Sequence, residues 1–291
     1  MSRPSPRLEP VASVEDVRAA VGAARARGRT VGFVPTMGAL HNGHARLIER
    51  CRSEADFVVV SIFVNPTQFG PREDLGRYPR TLEADLEVCA AAGADLVFVP
   101  TEAVIYPRGK SATFVEVPGI SSVLEGASRP GHFRGVATVV LALFEIVRPD
   151  LAVFGQKDYQ QQLLIRRMVQ DLHVPVRVIT EPTVREPDGL ALSSRNRYLN
   201  GEERRAAVVL SRALQRARDA VAAGERDARR VRQILDDAVS LEALASLDYA
   251  EVADADSLEP LVEIVPGRAA VALLAARVGT TRLIDNRLLT E

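Results

Sequence analysis

From residue 31 to residue 179, short apolar runs rich in β-branched side chains alternate with stretches of helical periodicity. No other feature limits the fold so strongly. The apolar runs fall at 31–34, 57–64, 96–99, 151–154 and 176–179, and helices are expected at about 13–27, 44–54, 80–92, 136–147 and 158–171. Ser13 suits the cap of the first helix, Glu15 and Asp16 suit its positive end, and Gly28 closes it. The run Phe57-Val58-Val59-Val60-Ser61-Ile62-Phe63-Val64 is almost continuously apolar, the mark of a parallel strand covered on both faces. Alternation of this kind means a doubly wound α/β parallel sheet with right-handed crossovers. In such sheets ligands bind beyond the carboxyl ends of the strands.

The pattern changes near Glu181-Pro182-Thr183. A turn-rich segment runs to Asn200, which suits a helix cap, followed by a long helix at about 201–223 with Leu210, Leu214, Ala217 and Val221 as its buried stripe. A second helix is expected at about 227–244, then short strands near 248–253, 261–265, 269–275 and 281–285. The expectation is therefore two domains, 1–182 and a smaller α+β domain at 183–291. The arginine-rich stretch 204–232 alternates with acids and reads as a solvated face.

Composition narrows the function by exclusion. A net charge of −1 gives no broad electrostatic footprint for nucleic acid. No apolar run approaches the ~20 residues of a membrane span. Residues 1–10 carry three prolines and no apolar segment, unlike a signal peptide. Cys51 and Cys89 stand singly inside expected helices and read as buried thiols, so a soluble, cytoplasmic protein is expected. Of 37 basic residues only Lys110 and Lys157 are lysine. A lysine surviving in such a chain invites a question.

Three segments carry polar groups at the ends of the strands, and two further loops are rich in donors. After 31–34 comes Pro35-Thr36-Met37-Gly38-Ala39-Leu40-His41-Asn42-Gly43-His44, with Leu47, Ile48 and Cys51 continuing at helical spacing. A strand, a glycine-containing turn and a helix start aim backbone N–H groups and a positive dipole at a phosphate. His41 and His44 would share one face of the first turn as donors. No Cys/His/Asp spacing makes them zinc ligands; an ordinary βα turn with surface histidines is the alternative. Asn65-Pro66-Thr67-Gln68-Phe69 follows the second run, and Gly155-Gln156-Lys157-Asp158 with Gln161 follows the run at 151–154. Lys157 there suggests a compact charge for a phosphate, against the alternative of a surface lysine. Gly189-Leu190-Ala191-Leu192-Ser193-Ser194-Arg195-Asn196 offers two hydroxyls, a guanidinium and an amide, which could close over a triphosphate or form an ordinary turn. Arg129-Pro130-Gly131-His132-Phe133-Arg134-Gly135 is a second donor-rich loop. Gly109-Lys110-Ser111 imitates the end of a P-loop without its first glycine and reads as loop; His173 reads as structural. No G-x-G-x-x-G favours NAD, and no G-x-S-x-G surrounds either serine.

The segment at 35–44 resembles the HIGH-type signature of class I nucleotidyltransferases, in the form found in the pantoate–β-alanine ligase family. Asn65–Phe69, Gly155-Gln156-Lys157-Asp158-Tyr159-Gln160-Gln161 and Ser193-Ser194-Arg195-Asn196 resemble that family's other blocks, in its order, with similarity over about 11–285. Leu192 stands where the family usually has methionine, and Gln156 where it often has glutamate. The resemblance implies a Rossmann-like first domain binding nucleotide and pantoate, and a C-terminal lid domain. It implies ATP-dependent condensation of pantoate with β-alanine through a pantoyl adenylate, in a homodimer. By that resemblance His41, His44, Lys157, Ser193, Ser194 and Arg195 are the catalytic donors, with Mg²⁺ on the ATP phosphates and no protein ligand to the metal assigned. Pro35, Thr36, Met37, Gly38, Gly155, Asp158 and Val184 would join them around ATP, Gly155 and Asp158 on the ribose side. Gln68 and Gln161 would hold pantoate, with Met37, Asn65, Arg129 and His132 in the substrate site. The segment 69–80, rich in Pro, Gly and charge, is expected to be a flap. Two other readings remain open: a sister nucleotidyltransferase that would not need the Gln68 and Gln161 pair, and a tRNA-related module, against which the missing basic surface counts.

Overall fold

The computed structural model describes residues 8–71, 73–109 and 113–290. The chain forms two compact units, Met1–Gly155 with Gln160–Pro182, and Gln156–Tyr159 with Thr183–Glu291. In the first unit α1 (Val14–Arg25) leads to β1 (Val31–Thr36), α2 (Asn42–Glu54), β2 (Phe57–Ile62), α3 (Leu82–Ala91) and β3 (Leu96–Phe98). Two short turns of helix, α4 (Glu102–Ile105) and α5 (Glu125–Ser128), precede α6 (His132–Val147), β4 (Leu151–Gly155), α7 (Tyr159–Asp171) and β5 (Arg177–Glu181). The five strands are parallel in the order β3-β2-β1-β4-β5, so the topological switch lies between β1 and β4. This is the expected Rossmann-like sheet, and 57–62 is buried on both faces as the apolar run required, save the half-buried Phe57.

Side-chain size sets how closely the helices approach. Gly32 on β1 leaves room for α2: a Cβ there would collide with Cys51 Sγ and lie 2.9 Å from Ala55 Cβ. Val34, Ile48, Val58, Val60 and Val97 belong to one core cluster. Elsewhere in the unit Phe144 of α6 packs edge-on against Phe33 and Phe154, with centroids 6.2 and 6.4 Å apart.

The second unit packs helices on an antiparallel sheet. It contains α8 (Gly201–Ala206), α9 (Val209–Ala222), α10 (Ala228–Ser240), β6 (Ala245–Asp254), β7 (Ala270–Val278) and β8 (Thr281–Leu288), in the sheet order β6-β7-β8. Leu210, Leu214, Ala217 and Val221 form the buried stripe of α9 as expected. Asn200 caps α8 in a box closed by Glu203, its Oδ1 accepting the Glu202 and Glu203 N–H groups.

Several expectations need correction. The helix expected at 201–223 is two helices, because the chain tightens at Ala207 and Val208, where Leu210 N–H reaches back three residues to the Ala207 carbonyl. No glycine or proline marks that break. The helix expected to reach 244 ends at Ser240, leaving Leu241 82% exposed. The strand expected at 261–265 is a loop that touches its neighbours through isolated bridges; Ile264 is buried but Val262 is 71% exposed, so the alternation there marks one anchor in a loop. The supposed loop 129–135 is helical from His132 onward. The P-loop-like Lys110 and Ser111 lie outside the described residues.

Gly135 explains how α6 reaches the end of β2. A Cβ at this position would lie 2.5 Å from the Thr67 carbonyl oxygen and 2.8 Å from Gln68 N. Alanine would gain about 0.8–1 kcal/mol in helix propensity, but overpacking against rigid backbone costs about 1–3 kcal/mol. Gly135→Ala should therefore lower the denaturant midpoint with an unchanged slope, despite the better helix former.

Candidate active site

The turn after β1 is held from beneath by a buried carboxylate. Asp85 on α3, 2% exposed, accepts the Ala39 and Leu40 N–H groups at 3.0 and 2.8 Å and the Thr81 hydroxyl at 3.1 Å. Those bonds stabilise two successive left-handed residues, Gly38 at φ +82° and Ala39 at φ +53°. Gly38 is also crowded: a Cβ would sit 3.0 Å from Asp85 Oδ2 and 3.1 Å from Ile62 Cγ2. Thr36 ties the strand end down, its hydroxyl donating to the Ser61 carbonyl at 2.7 Å.

The reversed turn delivers His41 to the N-cap of α2, where imidazoles replace the usual hydroxyl or carboxylate. His41 Nδ1 accepts the Gly43 N–H at 3.1 Å, and His44 Nδ1 accepts the His41 N–H at 3.3 Å. An Nδ1 that accepts carries no proton, so in each neutral ring the proton sits on Nε2. The two rings lie 4.2 Å apart. The strand–turn–helix reading of 35–44 thus gains a physical detail: the histidines organise the helix start through Nδ1 and present donors through Nε2. A helix N-terminus of this build favours an anion.

At the end of β2 the side chains form a connected amide network. Gln68, in the turn Pro66–Gln68, donates from Nε2 to Met37 Sδ at 2.8 Å and accepts Asn65 Nδ2 at 3.1 Å. Asn65 is 1% exposed and its amide is engaged on both sides: Nδ2 also donates to the Gly135 carbonyl, and Oδ1 accepts Thr67 N–H, the Thr67 hydroxyl and Tyr106 OH. His132 Nδ1 donates to the Gln68 carbonyl at 2.8 Å while its Nε2 takes Arg129 Nη1 at 3.0 Å. Arg129 grips Glu73 with a two-pronged pair at 2.9 and 2.5 Å. Burial raises the Glu73 pKa, but the Arg129 hydrogen bonds and charge outweigh it and hold the carboxyl below its ordinary value. Asn65, Arg129 and His132 therefore sit around Gln68 and set its backbone and amide. The same pair anchors the segment 69–80 at Glu73, and Tyr78 is buried against Phe69; Arg72 lies outside the described residues.

Three consecutive glutamines open α7 and have separate duties. Gln160 Nε2 donates to the Ile120 and Val123 carbonyls at 2.6 and 2.8 Å, and its Oε1 takes the Glu125 N–H. Gln162 accepts the Thr180 hydroxyl. Gln161 between them is half-buried, on the first turn of the helix. Gln160 and Gln162 are structural clamps, a role that sequence alone did not give them.

Lys157 belongs to the second unit, in the 3₁₀ turn Gln156–Asp158. Asn286 on β8 donates from Nδ2 to the Gln156 and Lys157 carbonyls at 2.9 and 2.8 Å. The Lys157 side chain is only 20% exposed, with Nζ 3.5 Å from Asp158 Oδ1. Asp285, next to Asn286, takes Arg185 in a two-pronged pair at 2.6 and 2.9 Å. Arg185 also donates to the Gly189 carbonyl, bracing a hairpin closed by Leu192 N–H on the Val184 carbonyl at 3.0 Å. Ser193 follows directly and caps the short helix Ser194–Tyr198, its Oγ accepting Arg195 N–H at 3.3 Å; Asn196 Nδ2 donates to the Ala191 carbonyl. Asp85, Glu73, Tyr106, Arg185, Asp285 and Asn286 were not singled out from sequence, because each acts through a partner more than 30 residues away.

Elsewhere, Cys51 and Cys89 are free and buried, and burial pushes both thiols up to about 12, so they are inert. His173 follows α7, exposed and at φ +52°. Among the described residues no group of three His, Cys, Asp or Glu side chains is arranged to hold a metal ion, and no helix is long and apolar enough to cross a membrane.

A Rossmann-ordered sheet with Nε2–H donors on a helix N-terminus at the end of β1 is the frame of a HIGH-type nucleotidyltransferase. The model of the family described as pantoate-beta-alanine ligase matches residues 9–288. A pantothenate synthetase from Moorella thermoacetica is 55% identical over 279 residues, 96% of this chain and 98% of the relative. The crystal structure of pantothenate synthetase from Thermus thermophilus superposes with a TM-score of 0.91 at 47% identity, covering 98% of this chain and 100% of that one. A pantoate-beta-alanine ligase from Francisella tularensis, solved with beta-gamma ATP and beta-alanine, gives 0.78 at 35% identity, covering 97% and 98%. The chain belongs to the pantoate–β-alanine ligase family. Its activity is the ATP-dependent condensation of pantoate with β-alanine.

His132 gives a test of the network around Gln68. Burial first, then the Arg129 charge, lowers its pKa from 6.5 to about 4. A depressed folded pKa means that the unfolded chain binds the proton first as pH falls. The stabilisation is therefore complete above about pH 6.5 and is lost between 6.5 and about 4, at most about 3 kcal/mol. His132→Gln should flatten that part of the stability–pH curve, read by denaturation at a series of pH values.

Proposed function

We propose that catalysis runs through adenylation of pantoate, with the side chains acting as donors and none as nucleophile. The pantoate carboxylate is ionised near neutrality. It attacks the α-phosphorus of ATP and pyrophosphate leaves; the β-alanine amine then forms the amide as AMP departs. The observation that carries this reading is the histidine pair, whose Nδ1 atoms are engaged with backbone N–H groups so that Nε2–H donors cap the anion-favouring end of α2. Such groups stabilise charge growing on the α-phosphate and pyrophosphate without having to reorganise. Lys157, Ser193, Ser194 and Arg195 are the proposed further donors. Pro35, Thr36, Gly38, Gly155, Asp158 and Val184 are assigned to the nucleotide, Gly155 and Asp158 to its ribose side.

Gln68 and Gln161 are assigned to pantoate. Gln68 Nε2 donates to the Met37 thioether, a weak acceptor, so a hydroxyl or carboxylate oxygen of the substrate offers that amide a better partner. Asn65, Arg129 and His132 support this amide, and Met37 packs beside it. The donor set is made of imidazole, ammonium, guanidinium and hydroxyl groups, which suits phosphates; Mg²⁺ would be held by the ATP oxygens and neutralise their charge. A homodimer in the cytoplasm completes the proposal; two buried free thiols suit a reducing compartment, and sedimentation should give the mass of two chains.

Each donor is worth roughly 2–4 kcal/mol in the transition state. His44→Ala or Lys157→Ala should thus lower turnover about 10²–10³-fold with little change in melting temperature. Near-normal turnover in either would overturn that residue's role. The pathway itself is tested by pyrophosphate exchange into ATP without β-alanine: exchange should require pantoate, and no exchange with pantoate present and ATP bound would overturn a pantoyl adenylate formed ahead of β-alanine.

A further inference from the structure

We propose that Asn286 is a positioning residue for Lys157, fixing the direction in which the ammonium leaves the backbone. This rests on the assignment of Lys157 as a phosphate donor. The two carbonyls that Asn286 Nδ2 grips, those of Gln156 and Lys157, belong to the two peptide groups that flank the Lys157 Cα. Holding both peptide planes holds φ and ψ of Lys157, and with them its Cα–Cβ vector. A primary amide is the neutral side chain that carries two N–H donors on one atom, so both hydrogens of Nδ2 are used here. The orientation of that amide is decided by its acceptors, since two carbonyls on one side require nitrogen there.

Asn286 is 3% exposed and does not depend on solvent for its aim. Its Oδ1 has no protein partner among the described residues, so the side chain is held by its donor side. The turn Gln156–Asp158 that it grips is a single 3₁₀ turn between β4 and α7. A further anchor follows at Tyr159, whose OH donates to the Ala255 carbonyl at 2.8 Å, but that bond holds the start of α7 and leaves the peptides around Lys157 to Asn286. β8 braces the other set of donors at the adjoining residue, through Asp285 and Arg185 on the hairpin before Ser193. The strand therefore registers Lys157 and the Ser193 segment from consecutive positions. The Asn286 amide bonds to backbone, so its contribution to the reaction passes through Lys157.

That dependence is the test. Pantoate-dependent pyrophosphate exchange is measured for full-length Asn286→Ala, Lys157→Ala and the double variant, with thermal melts to confirm folding. A displacement of about 1 Å in a catalytic group costs up to about 10²-fold, so Asn286→Ala should lower kcat about 10- to 100-fold while the KM for pantoate stays within about twofold. In the Lys157→Ala background the same substitution should cost nothing further, because the group it positions is gone. If the two losses multiply in the double variant, or if Asn286→Ala turns over normally, the proposal is overturned. Near-normal exchange by Lys157→Ala alone is a separate outcome: it removes the lysine's role, and this proposal with it. Should Asn286→Ala not fold, Asn286→Ser, too short to reach both carbonyls, takes its place in the same cycle.

Discussion

The turn between β1 and α2 has to do two things that oppose each other. It must pass through two left-handed residues, one of them an alanine, and it must leave the start of α2 firm. Asp85 reconciles them. A carboxylate with three donors in a buried site is a stiff, satisfied unit, and two of its bonds go to the N–H groups of Ala39 and Leu40. With those two residues pinned, His41 arrives at the cap position and the Nδ1 atoms of both histidines are committed to backbone. The protonation geometry on the ligand side then follows from the fold.

The same division recurs in each segment that carries polar groups. One residue is proposed for the chemistry, and its neighbours in sequence or in space are engaged in hydrogen bonds that hold the segment. Gln68 is surrounded by Asn65, His132 and Arg129, each with its hydrogen-bonding groups occupied. Gln161 stands between two clamps, Gln160 and Gln162. Lys157 and the Ser193 segment are braced by Asn286 and by the Arg185–Asp285 pair. Fully partnered polar networks of this kind are rigid, and rigidity is what lets donors stabilise developing charge without reorganising.

The parallel sheet was legible because an apolar strand covered on both faces has no other soluble solution, and Phe57–Ile62 lies where its run of β-branched residues put it. Errors gathered in the second unit. Ala207 and Val208 interrupt a helix with residues that are fully acceptable inside one, so only packing decides the break. The segment 261–265 imitates a strand because one buried isoleucine gives it local alternation, but ladder partners are a property of the sheet.

By itself the sequence determined which groups can bond to phosphates and carboxylates, and the order of strands and helices that brings them to strand ends. Those are local matters of residue type and periodicity. Only the tertiary structure decided which nitrogen of His41 and His44 carries the proton, that Arg129 and His132 serve Gln68, and that Asn286 grips the turn of Lys157. The histidine bonds span only two or three positions but need the turn that Asp85 holds, and the others join residues 61 to 130 positions apart; neither leaves a periodic trace in the chain.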